Sequence, residues 1–339
     1  MKCLNVIGAW ICLALISTQS IAKEPSFKDQ KISILIGYGV GGGYDVYGRL
    51  VASFLPKYLD GAPIVIPQNM TGAGSLRAAD FIYNVAPKDG TTLGVIGQTI
   101  PIDELMEDGK KTFDSAKFTW IGRMASGVET ITTWHTSPVR SMDQARSTVA
   151  AIAATGPSSG SAIYPIVLNS LIGTKFKVVS GYAGTKEMLL AMERGETDGC
   201  GAINVSTLTS EFPQWLTEKR VTVLTQISIE RHPAFPDVPT FVELGTTERQ
   251  KQILKLFAAS GDIGRALMGP PSMPRDRTDA LRKAFMQVMV DKELVEIATK
   301  QNIDISPMEG SVLQKLVVEI GSTPETVIAE AKAAKTPTH

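Results

Sequence analysis

Residues 31–50 read KISILIGYGVGGGYDVYGRL. Ile32, Ile34, Leu35 and Ile36 form a short apolar run, which predicts a buried strand over 32–36. Gly37, Gly39, Gly41, Gly42 and Gly43 follow, and residues 44–59 then place Val46, Leu50, Val51, Phe54 and Leu55 on one face of a helix. A strand that turns through glycines into a helix points the free N–H groups of the first helical turn at whatever occupies the turn. Together with the partial positive charge of the helix end, this is an anion site built from backbone.

The same alternation continues along the chain. Strands are predicted over 64–66, 92–96, 148–153, 177–180, 221–226 and 265–269, and helices over 76–84, 161–171, 186–194, 243–256, 275–290, 312–320 and 323–334. Ser141 with Gln144 three residues on marks the start of a further short helix. Residues 118–124 and 129–134 read as extended chain leaving the first unit. The pattern predicts an α/β fold of two lobes joined by crossovers, with ligand bound between them at the carboxyl ends of strands.

Three more glycine-rich helix starts follow strands. They are Gly72-Ala73-Gly74-Ser75, then Gly156-Pro157-Ser158-Ser159-Gly160 leading to Ser161, and Gly181-Tyr182-Ala183-Gly184-Thr185. Four such turns, two in each half, are the pattern expected when two lobes close around an anionic ligand. Tyr38, Tyr44 and Tyr182 beside them offer apolar walls or a hydroxyl. Asp45 reads as a cap for the first helix, with selection of a ligand amine or hydroxyl as its other reading.

Other chemistries fit less well. Gly37 to Gly42 matches G-x-G-x-x-G, but the second strand ends in Pro67-Gln68-Asn69, with no acid for a ribose. Gly156 to Gly160 matches G-x-S-x-G, so a secreted serine hydrolase with Ser158 as nucleophile is the competing class, drawing on Asp198 or Asp237 with His339, or on Asp198 with His232. His135, His232 and His339 lie too far apart for a metal motif, and no cofactor is expected. Asp103, Glu104, Glu107 and Asp108 read as the solvated face of a helix.

Residues 1–22 have a positive start, an apolar stretch and the small-x-small ending Ser20-Ile21-Ala22, as in a secretory signal peptide cleaved after Ala22. Cleavage would remove Cys3 and Cys12, leaving Cys200 as a buried small residue with no disulfide partner. With 34 basic and 34 acidic residues and no charge run, the chain is not expected to bind nucleic acid or an anionic membrane surface.

At these residues the chain resembles the substrate-binding receptors of tripartite tricarboxylate transporters, the Bug/TctC-type family of periplasmic solute-binding proteins. The resemblance rests on an ordered set of motifs. Gly41-Gly42-Gly43-Tyr44-Asp45 is followed by Arg49, then by Asn69-Met70-Thr71-Gly72-Ala73-Gly74. Pro87-Lys88-Asp89-Gly90-Thr91-Thr92-Leu93 comes next. The turn after Gly156, Gly181-Tyr182-Ala183-Gly184, the turn over 195–198 and Pro236-Asp237-Val238-Pro239-Thr240 complete it.

The resemblance implies a type II periplasmic binding protein without catalytic residues. It implies a first domain of residues 23–125 plus 258–339 and a second of 126–257. A small organic acid would be held by lobe closure, and the receptor, a monomer, would deliver it to the permease subunits of a membrane transporter. A sensor serving a signalling partner is the remaining alternative. Carried onto this sequence, the ligand-binding set in the first lobe is Tyr38, Gly41, Gly42, Gly43 and Asp45, then Gly72, Ala73, Gly74 and Ser75, with Gln98. In the second lobe it is Ser158, Ser159, Gly160 and Ser161, then Tyr182, Gly184, Thr185 and Asp198. The chain departs from the family pattern at Tyr38-Gly39-Val40, at Thr71, at Ser75-Leu76-Arg77 and at Gly199-Cys200-Gly201, all near the expected pocket. Arg77 and Glu129 are read as solvent-facing, with a second carboxylate and an amine as their possible ligand partners.

Overall fold

The computed structural model describes residues 25–41, 43–72, 75–107, 111–155, 159–182 and 185–336. The expected signal peptide lies outside them, as do Gly42, Ala73, Gly74, Asp108, Ser158, Gly184 and His339.

The chain begins with β1 (Lys31–Ile36), α1 (Gly43–Phe54), β2 (Ile64–Asn69), α2 (Leu76–Asn84), β3 (Thr92–Val95), α3 (Ile100–Met106) and β4 (Thr119–Ala125). It continues through β5 (Glu129–Trp134), α4 (Met142–Ser147), β6 (Ala150–Ala154), α5 (Gly160–Ile172), β7 (Phe176–Ser180), α6 (Thr185–Glu193), β8 (Gly199–Asn204), α7 (Pro213–Thr217) and β9 (Val221–Ile227). Helix α8 (Glu248–Ile263), β10 (Arg265–Gly269), α9 (Arg275–Met289), α10 (Lys292–Lys300), β11 (Met308–Glu309), α11 (Gly310–Gly321) and α12 (Glu325–Ala334) complete it.

Two sheets form, ordered β11-β4-β10-β3-β1-β2 and β7-β6-β8-β5-β9. They share one plan. In each, three parallel strands stand in the order second, first, third (β2-β1-β3 and β7-β6-β8). Beside the third runs one antiparallel strand, β10 in the first sheet and β5 in the second. Each of these follows a crossing from the other lobe: residues 126–128 join β4 to β5, and Gly264 joins α8 to β10. The first crossing is tied to the last turn of α8, just before the second, by a hydrogen bond from the Gly127 N–H to the Gly261 carbonyl, 2.8 Å. Gly264 has φ +57°, and a Cβ there would lie 2.2 Å from the Ala125 carbonyl oxygen. This tight crossing therefore excludes any side chain.

The sequence reading needs adjusting at several elements. The first helix stops at Phe54 and tightens into a 3-10 turn over Leu55–Tyr58, because Pro56 has no N–H and disfavours helix before it. Strand β2 runs on through Pro67, which the sheet tolerates because β2 is an edge strand. Helix α8 starts at a capping box, Thr247 with Gln250, and runs through position 257, where the sequence reading divides the domains. It also runs through Gly261, where a Cβ would come 2.5 Å from the Ile227 carbonyl oxygen. Helix α10, which the sequence reading omits, is capped by Asp291, whose carboxylate accepts from the Glu293 and Leu294 N–H groups.

Strand β8 was also missed, yet it stands near the centre of the second sheet and is buried along most of its length. Its glycines hide the apolar pattern, and packing explains them. A Cβ on Gly199 would meet the Thr132 carbonyl oxygen at 2.4 Å, and one on Gly201 would meet the Ser161 carbonyl oxygen at 1.9 Å. The first turn of α5 therefore lies directly on this strand. Cys200 between them is fully buried and free, its thiol pushed up to about 12 by burial.

Candidate functional site

A cavity of about 660 Å³ opens between the lobes. Its walls come from the carboxyl ends of β1 and β3 (Tyr38, Gln98, Thr99), from α1 (Tyr44), from the start of α5 (Ser159, Gly160) and from Glu129 and Arg265. This is where an α/β sheet of this order leaves a crevice, and the volume suits a small ligand.

Arg265 is the first residue of β10 and Glu129 the first of β5. Each stands at the first position after a crossing, so the hinge places one charge from each sheet in the same cavity. The Arg265 guanidinium donates to the Gln98 side-chain oxygen and sits 4.7 Å from the centre of the Tyr44 ring. Tyr44 stacks on Tyr38, ring centres 4.4 Å apart and 18° from parallel. The Tyr44 hydroxyl oxygen accepts from the Gln98 N–H at 3.0 Å. Gln98 in turn donates to the Gly127 carbonyl at 3.3 Å. The packing is close enough that a Cβ on Gly127 would come 1.9 Å from the Gln98 side-chain oxygen. The cation is thus fixed by a buried amide and an aromatic face, both braced against the hinge.

Among the described residues no carboxylate makes an ion pair with Arg265; Glu129 is the acid whose field it feels most. Burial works against the guanidinium charge, and the fields of Tyr44, Glu129, Tyr47 and Tyr38 outweigh it. Burial raises the Glu129 carboxyl above its ordinary value, opposed by Arg265 and by the Tyr164 hydroxyl. Burial also raises Tyr44 and Asp103. A half-buried cation that no carboxylate touches among the described residues, in a cavity of this size, is suited to an anionic ligand group.

The four glycine turns are placed differently from one another. In the first, Gly41 has φ +83° and its N–H donates to Asp45 Oδ2 at 2.9 Å. Asp45 is buried, pairs with Arg49 at 2.8 Å and accepts from the Asn69 amide at 2.7 Å. The hydrogen bond from Arg49 first, then those from Gly41 and Asn69, hold its carboxyl down at about 2, against the opposing effect of burial. The chain's own carboxylate thus takes up part of the cradle that the sequence offered to a ligand. Asp45 closes the turn from inside the helix instead of capping it from the preceding position. Gly43 opens α1 with its surface exposed.

In the second turn Gly72 is exposed, whereas Ser75 is buried with φ +82°, and its hydroxyl accepts from the Gly97 N–H at 3.1 Å. In the third, Ser159 and Gly160 reach the cavity, and Gly160 leaves room for the Tyr164 ring, which a Cβ would approach to 2.7 Å. Ser161 is turned inward, its hydroxyl accepting from the Thr155 N–H at 3.1 Å. In the fourth, Tyr182 packs on the apolar core of the second lobe and Thr185 is exposed; neither lines the cavity. Asp198 is also elsewhere: its carboxylate accepts from the Ala151 N–H at 2.7 Å, beside the sheet.

Of the sequence-derived set, the structure therefore brings Tyr38, Gln98, Ser159 and Gly160 to the cavity wall. Arg77 lies exposed on α2, its guanidinium 3.5 Å from the Thr71 carbonyl oxygen. Glu129, read as solvent-facing, lines the cavity. The solvated acidic face expected at 103–108 is corrected as well. Asp103 lines the cavity, and Glu104 is buried, accepting from the Ser115 N–H at 2.7 Å and pairing with Lys111 at 3.3 Å. Sequence reasoning missed Arg265 altogether. The available signal was a lone arginine opening an otherwise apolar strand, RALMG, immediately after a glycine.

The hydrolase alternative finds little among the described residues. Asp198 is committed to Ala151, and the His232 ring nitrogen Nδ1 accepts from the Ala234 N–H at 3.1 Å. His232 lines a separate crevice of about 360 Å³, among whose lining residues there is no Lys or Arg.

Comparison with known proteins agrees with this architecture. The family model described as the tripartite tricarboxylate transporter family receptor, TctC, matches residues 48–332. A protein from Cupriavidus necator, described as the UPF0065 protein in the gbd 5′ region, is 25% identical over 289 residues, which is 83% of this chain and 82% of the relative. A TctC solute-binding protein from Polaromonas, solved without ligand, superposes with TM-score 0.68 at 19% identity, covering 90% of this chain and all of that one. MatC from Rhodopseudomonas palustris, solved with bound malate, superposes with TM-score 0.61 at 21% identity, covering 88% of this chain and 99% of that one. The two-lobed fold is that of these periplasmic solute-binding proteins, and the chain belongs to the tripartite tricarboxylate transporter receptor family.

Proposed function

We propose that this chain is an extracytoplasmic solute-binding receptor. It captures a small organic carboxylate between its lobes and hands it to a tripartite tricarboxylate-type membrane transporter, with no chemistry done on the ligand. The observation that carries this reading is Arg265, a cation fixed at the hinge side of a 660 Å³ interlobe cavity with no ion-pair partner among the described residues. The family membership supports the receptor role, and the malate in MatC supports a carboxylate as ligand. The domain division at 126–128 and near Gly264, secretion by a cleaved signal peptide, and the roles of Tyr38, Gln98, Ser159 and Gly160 as ligand contacts belong to the same proposal.

The test is a thermal-shift screen of the purified mature chain against mono-, di- and tricarboxylates, with neutral sugars and peptides as controls. A ligand at 100 times its dissociation constant stabilises by about 2.7 kcal/mol, a shift of several degrees in Tm. Stabilisation by an acid alone is the expected result. Stabilisation by a sugar or peptide but by no acid would overturn the proposal.

A further inference from the structure

The cavity holds more charge than capture of a simple acid requires. Beside Arg265 stands Glu129, contributed by the other sheet, and the rest of the wall adds Asp103, Glu107 and Lys335. Three acids face two bases. A ligand with two or three carboxylates would bring further negative charge into a lining already short of cations. A monovalent acid that also carries a cation would leave the balance unchanged and give Glu129 a partner.

We propose that the ligand is a small zwitterion, a carboxylic acid bearing an ammonium group, with its carboxylate on Arg265 and its ammonium on Glu129. This rests on the carboxylate-receptor reading and narrows it. Arg265 and Glu129 each feel the other's field without an ion pair at contact distance, and both line the cavity, where a bound molecule can meet them. Arg265 belongs to the first sheet and Glu129 to the second, so a ligand touching both is a bridge that holds the lobes together. Burial disfavours the ionised form of Glu129, and an ammonium group relieves that penalty as a neutral ligand atom cannot. Tyr164, which also lines the cavity, donates to the Glu129 carboxylate, its hydroxyl also meeting the Ser260 hydroxyl at 3.2 Å.

The experiment is calorimetric titration of the mature chain with matched pairs: 4-aminobutanoate against butanoate, L-glutamate against glutarate, and malate against succinate. The expected result is at least tenfold tighter binding of the amine-bearing member in the first or second pair. Glu129→Gln, which preserves shape, should bring that ratio to within about threefold by weakening the amine-bearing acid. Equal or tighter binding of the amine-free acids in both amine pairs would overturn the proposal even if Glu129→Gln fails to fold. So would a ratio that Glu129→Gln leaves unaltered, or a malate preference over succinate that matches the amine preference. Binding by none of these acids would overturn the zwitterion proposal, while the carboxylate reading stands or falls on the wider thermal screen.

Discussion

Asp45 shows how one side chain can answer a question that a motif leaves open. A glycine turn before a helix attracts negative charge, and here the chain supplies some of its own. The Asp45 carboxyl is held at about 2 against an ordinary 3.8. Its folded pKa lies below its unfolded one, so its contribution to stability is complete above about pH 4 and lost as pH falls through 4 toward 2. Asp45→Asn should therefore lower unfolding free energy at neutral pH and flatten its decline between pH 4 and 2. Urea titrations across that range read both effects. An unchanged acid limb would show that Asp45 is not held as described. Asp45→Ala leaves the Asn69 amide and the Gly41 N–H short of an acceptor and should cost about 2 kcal/mol.

At the same scale lies the main gap in what sequence could tell. Tyr38, Gln98, Ser159 and Gly160 were legible because strand ends and glycine turns mark the crevice. Arg265 was not, because nothing local separates a cavity-facing arginine at a strand start from a solvent-facing one. Its orientation follows from Gln98 and Tyr44, which are 167 and 221 positions away in sequence.

At the scale of elements, glycine positions record where helices approach strands. Strand β8 was obscured in the sequence by Gly199, which lets β5 approach, and Gly201, which lets α5 lie against it. Periodicity reads side chains, and a strand that gives up its side chains to make room for a helix gives no signal. The same cause hid the run of α8 through Gly261. Gly201→Ala should push the first turn of α5 outward and cost about 1–3 kcal/mol in overpacking. Because that turn brings Ser159 and Gly160 to the cavity, ligand affinity should fall as well. Denaturation and calorimetry on the same preparation separate the two effects. Full stability in Gly201→Ala would contradict the close approach of α5 to β8. By contrast, α2, α9 and β10 could be read almost to the residue, since each presents an unbroken amphipathic or apolar pattern between clear turn signals.

At the scale of the molecule, the two sheets repeat one strand plan, and each receives its antiparallel strand from a crossing. The first crossing is bonded through Gly127 to Gly261 in the last turn of α8, beside the second. The two crossings lead directly into Glu129 and Arg265, and Gln98 links Arg265 back to Gly127. The crossings and the charged wall of the cavity are therefore one connected structure, which would couple ligand capture to lobe closure in the receptor proposed above. The overall alternation of strand and helix was visible in sequence, but this connection was not, since it depends on how four distant segments meet.

The central claim is that Arg265 holds an acid between the lobes. It is tested most directly by calorimetric titration of wild type and Arg265→Met with the most stabilising acid from the thermal screen. A charged hydrogen-bonded contact contributes about 1.5–3 kcal/mol, so the account predicts a loss of about 10- to 100-fold in affinity with the fold intact. Equal affinity in a folded Arg265→Met protein would contradict it.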